Sequence, residues 1–175
     1  MERPEDKTIL VVDDEPNVRE YLTTILQDAD FNVVTAGDGV EALEIIRENP
    51  PDFISLDLIM PRKSGHKLLY ELRKHKRWSR IPVLIVTAHA QDELGKEDLE
   101  DLLQNRVMSG PGTYLEKPVN PANYVRGIQR ALGIEESADA TEKIDLKEEL
   151  QKSLQDASPE ALRGALEALK EKRKD

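Results

Sequence analysis

Cysteine is absent from the 175 residues, so no disulfide holds the fold and a reducing cytoplasm is the expected location. Long apolar runs are missing too. The longest, Ile81–Ala90, is interrupted by Pro82, Thr87 and His89 and is far too short to span a bilayer, so no membrane segment is expected. The stretch Met1–Lys7 is polar and mixed in charge, without the apolar centre of a secretory signal. Positive charge is in deficit: 25 Lys and Arg stand against 35 Asp and Glu, a formal net charge of -10. That balance repels phosphate backbones, and no basic run flanked by aromatics offsets it, so nucleic acid is not an expected partner.

What is present is a modest apolar fraction of 38% beside 34% charged residues, the composition of a soluble protein with a large solvated surface. One α/β domain needs about 100 to 150 residues, so the chain has room for one such domain and a small appendage. Apolar runs alternate with helical patterns, which predicts a parallel sheet covered on both faces. The expected strands are Thr8–Val12, Phe31–Thr35, Phe53–Leu56, Val83–Val86 and Thr113–Glu116. Between and after them helices are predicted over Pro16–Asp28, Val40–Glu48, Gly65–His75, Glu97–Asn105 and Pro121–Leu132. Gly133 is placed to be the left-handed residue past the last helix, with Ile134 folding back as its apolar partner. The expected fold is therefore α/β, a doubly wound five-stranded parallel sheet over residues 1–136, followed by a C-terminal helical extension over 137–175. That extension has ten acids, eight bases and no aromatic residue. Ile144, Leu150 and Leu154, then Leu162, Leu166 and Leu169, recur at helical spacing on either side of Ser158-Pro159, which predicts two amphipathic helices joined as a hairpin.

In an open parallel sheet, ligands bind beyond the carboxyl ends of the strands. There the sequence places Asp13-Asp14, Asp57, Thr87 and Lys117. Three carboxylates at one edge repel one another, and a single lysine does not compensate them, so a hard divalent cation is expected among them. Magnesium suits best, because it accepts few protein ligands and keeps positions open for phosphate oxygens. A carboxylate nucleophile, a cation, a lysine and a hydroxyl together suit phosphoryl transfer.

The blocks Ile9-Leu10-Val11-Val12-Asp13-Asp14-Glu15, Leu56-Asp57-Leu58-Ile59-Met60-Pro61 with Gly65, Val86-Thr87-Ala88 and Tyr114-Leu115-Glu116-Lys117-Pro118 resemble, in order, the signature blocks of response-regulator receiver domains. The likeness runs from Lys7 to Ile134 and implies a flavodoxin-like receiver. It implies that Asp57 is the phosphoacceptor and that Asp14, Asp57 and the backbone carbonyl of Ile59 bind Mg2+, with Asp13 near the ion partly through water. Lys117 would pair with the phosphoryl group and Thr87 would move to bond it. Tyr114 would then turn inward, altering the surface around the Glu97–Asn105 helix and the fifth strand. The Lys117-Pro118 bond would be cis. The implied role is a phosphoacceptor response regulator of a two-component or phosphorelay system, phosphorylated by a histidine kinase or phosphotransfer protein. The acidic charge balance and the near-neutral tail make a protein, not DNA, the expected output partner. Such a domain is not an enzyme, but it supports its own magnesium-dependent phosphorylation and dephosphorylation. Two routes to a homodimer follow: the C-terminal helices, or the face of the fourth helix, fifth strand and fifth helix.

Plainer readings exist for single residues. Asp13-Asp14 before Pro16 could be a helix cap, Thr87 a β-branched strand residue, Tyr114 a half-buried core ring and Lys117 a surface lysine. Four matched strand ends together outweigh them. His66, His75 and His89 have no metal-ligand spacing, and Trp78 reads as a packing lid. The segment from Thr87 to Lys117 exceeds the family's usual length by roughly two helical turns. Ile59 and His89 flank the site, two residues after Asp57 and Thr87 respectively. Two rival functions are weaker. The near-neutral tail lacks a basic recognition helix, and the short Leu58–Ser64 loop lacks the cap or added general acid of a phosphatase. Removing residues 137–175 should leave a folded domain with lower helical signal and less self-association, read by circular dichroism and light scattering; unfolding of the remainder would overturn the division at residue 136.

Overall fold

The computed structural model describes residues 3–60, 65–87 and 114–134, together with Leu146, Ser158 and Arg163. The expected Glu97–Asn105 helix and the hairpin over 137–175 lie outside the described residues. Strands β1 (Thr8–Val12), β2 (Asn32–Ala36), β3 (Phe53–Leu56), β4 (Val83–Thr87) and β5 (Tyr114–Glu116) form one parallel sheet in the order β2-β1-β3-β4-β5. The helices are α1 (Pro16–Asp28), α2 (Gly39–Glu48), α3 (Gly65–Lys74) and α4 (Pro121–Ala131).

The apolar runs of β1 and β3 are continuous because both faces of these strands are covered. The pleat divides them between two cores. Ile9, Val11 and Phe53 pack with Leu22, Ile25 and Leu26 of α1 and Val125 and Ile128 of α4. Leu10, Val12, Ile54 and Leu56 pack with Ala42, Leu43 and Ile46 of α2 and Leu68, Leu69 and Leu72 of α3. The chain leaves β1 toward β2 on one side and reaches β3 on the other, so a crevice opens beyond the carboxyl ends of β1 and β3.

Helix ends explain where the observed elements depart from the predicted ones. Strand β2 begins one residue later than predicted, because the Phe31 amide is already used: it donates to Leu26 O at 3.0 Å, while Asp30 N donates to Gln27 O at 3.0 Å. With Asp30 at φ 65, this is the double closure that usually uses glycine, here carried by an aspartate. Gly133, at φ 67, closes α4 in the same way, and Ile134 N reaches Gln129 O at 2.9 Å, as expected for this glycine. Helix α2 starts at Gly39 because the Asp38 carboxylate accepts from Val40 N at 2.8 Å and Glu41 N at 3.0 Å. Glu41 reaches back to accept from Gly37 N at 2.6 Å. Asp38→Ala should cost about 1–2 kcal/mol, since it removes a buried cap, whereas Asp38→Asn should retain most of the stability; urea unfolding of the two variants checks this.

Candidate functional site

The sheet's hydrogen bonding runs past the strand ends and fixes two acids side by side. Asp13 N donates to Ala36 O at 3.1 Å, and Asp57 N donates to Val12 O at 2.9 Å. Both side chains are buried, at 1% and 6% relative exposure, and Asp14 beside them is half-buried. Burying carboxylates is costly unless each is paired or bonded. Lys117, one residue past β5, supplies the pairing: its Nζ lies 2.7 Å from Asp13 Oδ2 and 3.1 Å from Asp57 Oδ2. The Lys117-Pro118 peptide is cis, as expected.

Backbone amides hold the remaining oxygens. Ile59 N donates to Asp57 Oδ1 at 3.1 Å, and Glu15 N donates to Asp13 Oδ1 at 2.9 Å. Two participants were not foreseen from sequence. Glu15 brings its Oε1 within 3.6 Å of Lys117 Nζ, and Arg19 Nη1 donates to the Asp13 carbonyl at 2.6 Å. Both follow the acid pair closely in sequence, but nothing in their spacing distinguishes them from solvated helix residues. Gly65 has a local reason: a Cβ there would strike the Asp57 carbonyl oxygen and come within 2.7 Å of Leu58 Cα. Its own amide donates to Leu58 O at 3.0 Å, so α3 abuts the loop after Asp57 at backbone distance.

Of the predicted site residues, Asp13, Asp14, Asp57 and Lys117 come together. Asp13, Asp14 and Asp57 each offer a carboxylate oxygen, and these oxygens lie within 4.8 Å of one another. Three oxygen donors with one ammonium leave negative charge in surplus, which fits a hard divalent cation. Thr87 ends β4 opposite Glu116, and Tyr114 opens β5 opposite Ile85; their main chains are described, their side chains are not. His89 is outside the described residues. Trp78 packs against the α2–α3 core, in agreement with its reading as a lid.

Burial pushes the Asp57 carboxyl above its ordinary range and the Asp13 charge adds to this, while Lys117 and the Ile59 amide oppose it. For Lys117, burial lowers the value, but pairing with Asp13 and Asp57 outweighs it and the net shift is upward.

A family model described as the response regulator receiver domain matches residues 9–129. The chain is 37% identical over 120 residues to hybrid signal transduction histidine kinase D of Dictyostelium discoideum, covering 69% of this chain and 7% of that one. It is 35% identical to the DNA-binding response regulator MtrA of Mycolicibacterium smegmatis, covering 71% of this chain and 50% of that one. The chain thus spans half or less of the length of these relatives. Among solved structures, it resembles the receiver domain of a sensor histidine kinase from Pseudomonas aeruginosa PAO1, described with a magnesium ion coordinated in its active-site cleft. The TM-score is 0.62 at 28% identity, covering 73% of this chain and 98% of that one.

The upward shift of Asp57 sets a sign. Its ionised form is less welcome in the folded than in the unfolded chain, so its contribution to stability falls as pH rises from the ordinary carboxyl value through the higher folded one. Without added metal, Asp57→Asn should therefore raise the melting temperature at neutral pH, and the gain should vanish at pH low enough to protonate Asp57 in both states. A variant less stable than the parent at neutral pH would contradict this.

Proposed function

The chain belongs to the response regulator receiver domain family of two-component systems, and from that premise we propose that Asp57 is its phosphoacceptor. The observation that carries the proposal is the buried Asp57 carboxylate, with one oxygen on Lys117 and the other on the Ile59 amide. In this reading an Asp57 oxygen attacks the phosphorus of a phosphohistidine on a histidine kinase or phosphotransfer protein. The new O–P bond forms as the P–N bond breaks, and the departing imidazole keeps the electron pair and takes up a proton. Lys117 stays close to the transferred oxygens and offsets their charge. Asp13, Asp14 and Asp57, with the Ile59 carbonyl, are the residues that would hold magnesium. Such a cation supplies charge compensation for the acids and for the phosphoryl oxygens. Hydrolysis by water would return Asp57 and release inorganic phosphate, so the domain resets itself without turning over an external substrate.

The phosphoryl state would be read by Thr87 and Tyr114, and passed to a protein partner through the face of β5 and the helix expected over Glu97–Asn105, which continues onto α4. The register supports this, since β4 and β5 pair directly up to Thr87 and Glu116. The net charge of -10 favours a protein partner over nucleic acid. No helix among the described residues is long and apolar enough to cross a membrane. A cytoplasmic setting and self-association through 137–175 or through the β5–α4 face complete the proposal.

Incubation with a small phosphodonor and magnesium should add one phosphoryl group to the intact chain, mapped to Asp57 by mass spectrometry. Asp57→Asn and metal chelation should each abolish the addition. Equal phosphorylation of the Asp57→Asn variant would sink the assignment.

A further inference from the structure

Beneath the acidic site lies a polar group of residues that the proposed chemistry does not use. Ser55 sits in β3 in register with Val11 of β1. Because Val11 and Phe53 face the α1–α4 core, the pleat turns Ser55 to that same side. Asp13 and Asp57 each come two residues further along the same strands, and ladder bonding continues to both, so their carboxylates stand one pleat above Val11 and Ser55. Tyr124 of α4 enters this layer from the helix side and is fully buried. Burial pushes its phenol above the ordinary range, the Ser55 hydroxyl beside it partly offsets this, and the Asp13 charge adds to it.

Among the described residues, Ser55 Oγ, Tyr124 OH and Asp13 Oδ2 are all buried and none makes a well-formed hydrogen bond: Ser55 and Tyr124 are neighbours without good bonding geometry, and Asp13 Oδ2 is ion-paired with Lys117 at 2.7 Å. Hydroxyls hidden in an aliphatic layer are unfavourable without partners. An internal water makes about three hydrogen bonds to such groups and is retained because they need it.

We propose that one internal water joins Tyr124 OH, Ser55 Oγ and the Asp13 carboxylate, making Tyr124 a positioning residue for the cation site. The water accepts from the phenol and donates to the carboxylate and to Ser55 Oγ. Asp13 is then held on every side: by Lys117 at Oδ2, by Glu15 N at Oδ1, by Arg19 at its carbonyl and by the water from within the core. A carboxylate fixed before the cation arrives loses little freedom on binding it, so the effect is on affinity. The inference rests on the reading of Asp13, Asp14 and Asp57 as a magnesium site.

Tyr124→Phe and Ser55→Ala, each close to its parent in shape, test it in the full chain, with magnesium titrated by calorimetry and thermal unfolding followed without metal. Each variant should bind magnesium about tenfold more weakly. The double variant should be no weaker than the single ones, because both hydroxyls serve one water. A high-resolution crystal structure should hold a water with these three partners in the parent and lack it in Tyr124→Phe. Parental magnesium affinity in both single variants, or additive losses in the double variant, would overturn the proposal in favour of independent packing roles. A parent chain that binds no magnesium would remove the metal-site reading, and this inference with it, and is told apart because the variants are then not needed to see it.

Discussion

Lys117 between Asp13 and Asp57 is the contact around which the upper edge of the sheet is organised. Its ammonium lies 2.7 Å from one carboxylate and 3.1 Å from the other, in a setting where both acids are nearly inaccessible to water. At such distances in a poorly screened environment the attraction is strong, yet one positive charge facing Asp13, Asp14 and Asp57 leaves the balance negative. That unmet charge is what a divalent ion would offset in the proposed function. The lysine thus holds the site together without neutralising it, and the remaining imbalance is what the site can use.

The fold makes this arrangement with ordinary means. Parallel pairing brings Asp13 and Asp57 level, because Val12 lies opposite Leu56 and the ladder continues to both acids. The strand order reverses direction at β1 and β3, so among the described residues no helix closes over the ends of these strands. Strand β5, at the sheet's edge, delivers Lys117 from the far side of β4. Gly65 lets α3 approach the loop after Asp57 at backbone distance, so a larger residue there would push the helix away from Asp57.

Much of this was legible in the chain. Buried parallel strands are continuous apolar runs, so the sequence marks the bounds of β1 and β3 as observed, and the residues after them name the acids. The Gly133 closure was legible because glycine at that position has a single common meaning. Asp30 performs the same task but carries no comparable signal, and the start of β2 moved by one residue as a result. Glu15 and Arg19 carry no sequence signal, because their contribution depends on the path of the chain between β1 and α1. Ser55 and Tyr124 are far apart in sequence and come together only because β3 and α4 contribute to the same core layer, a relation no local pattern encodes.

The small turn before β4 gives the protein an optical property. Trp78 is the only tryptophan, and it is fixed there by packing on the α2–α3 core, by His75 stacked on its ring at 3.8 Å, and by Arg73 holding the Ser79 carbonyl at 2.7 Å. It precedes the amino end of β4, whereas the acids lie beyond the carboxyl ends of β1 and β3. Its emission therefore watches the lower rim of one layer, beneath a stacked imidazole. The acidic end lies at the opposite edge of the sheet from it, so a chromophore placed near β5 would stand closer to events there.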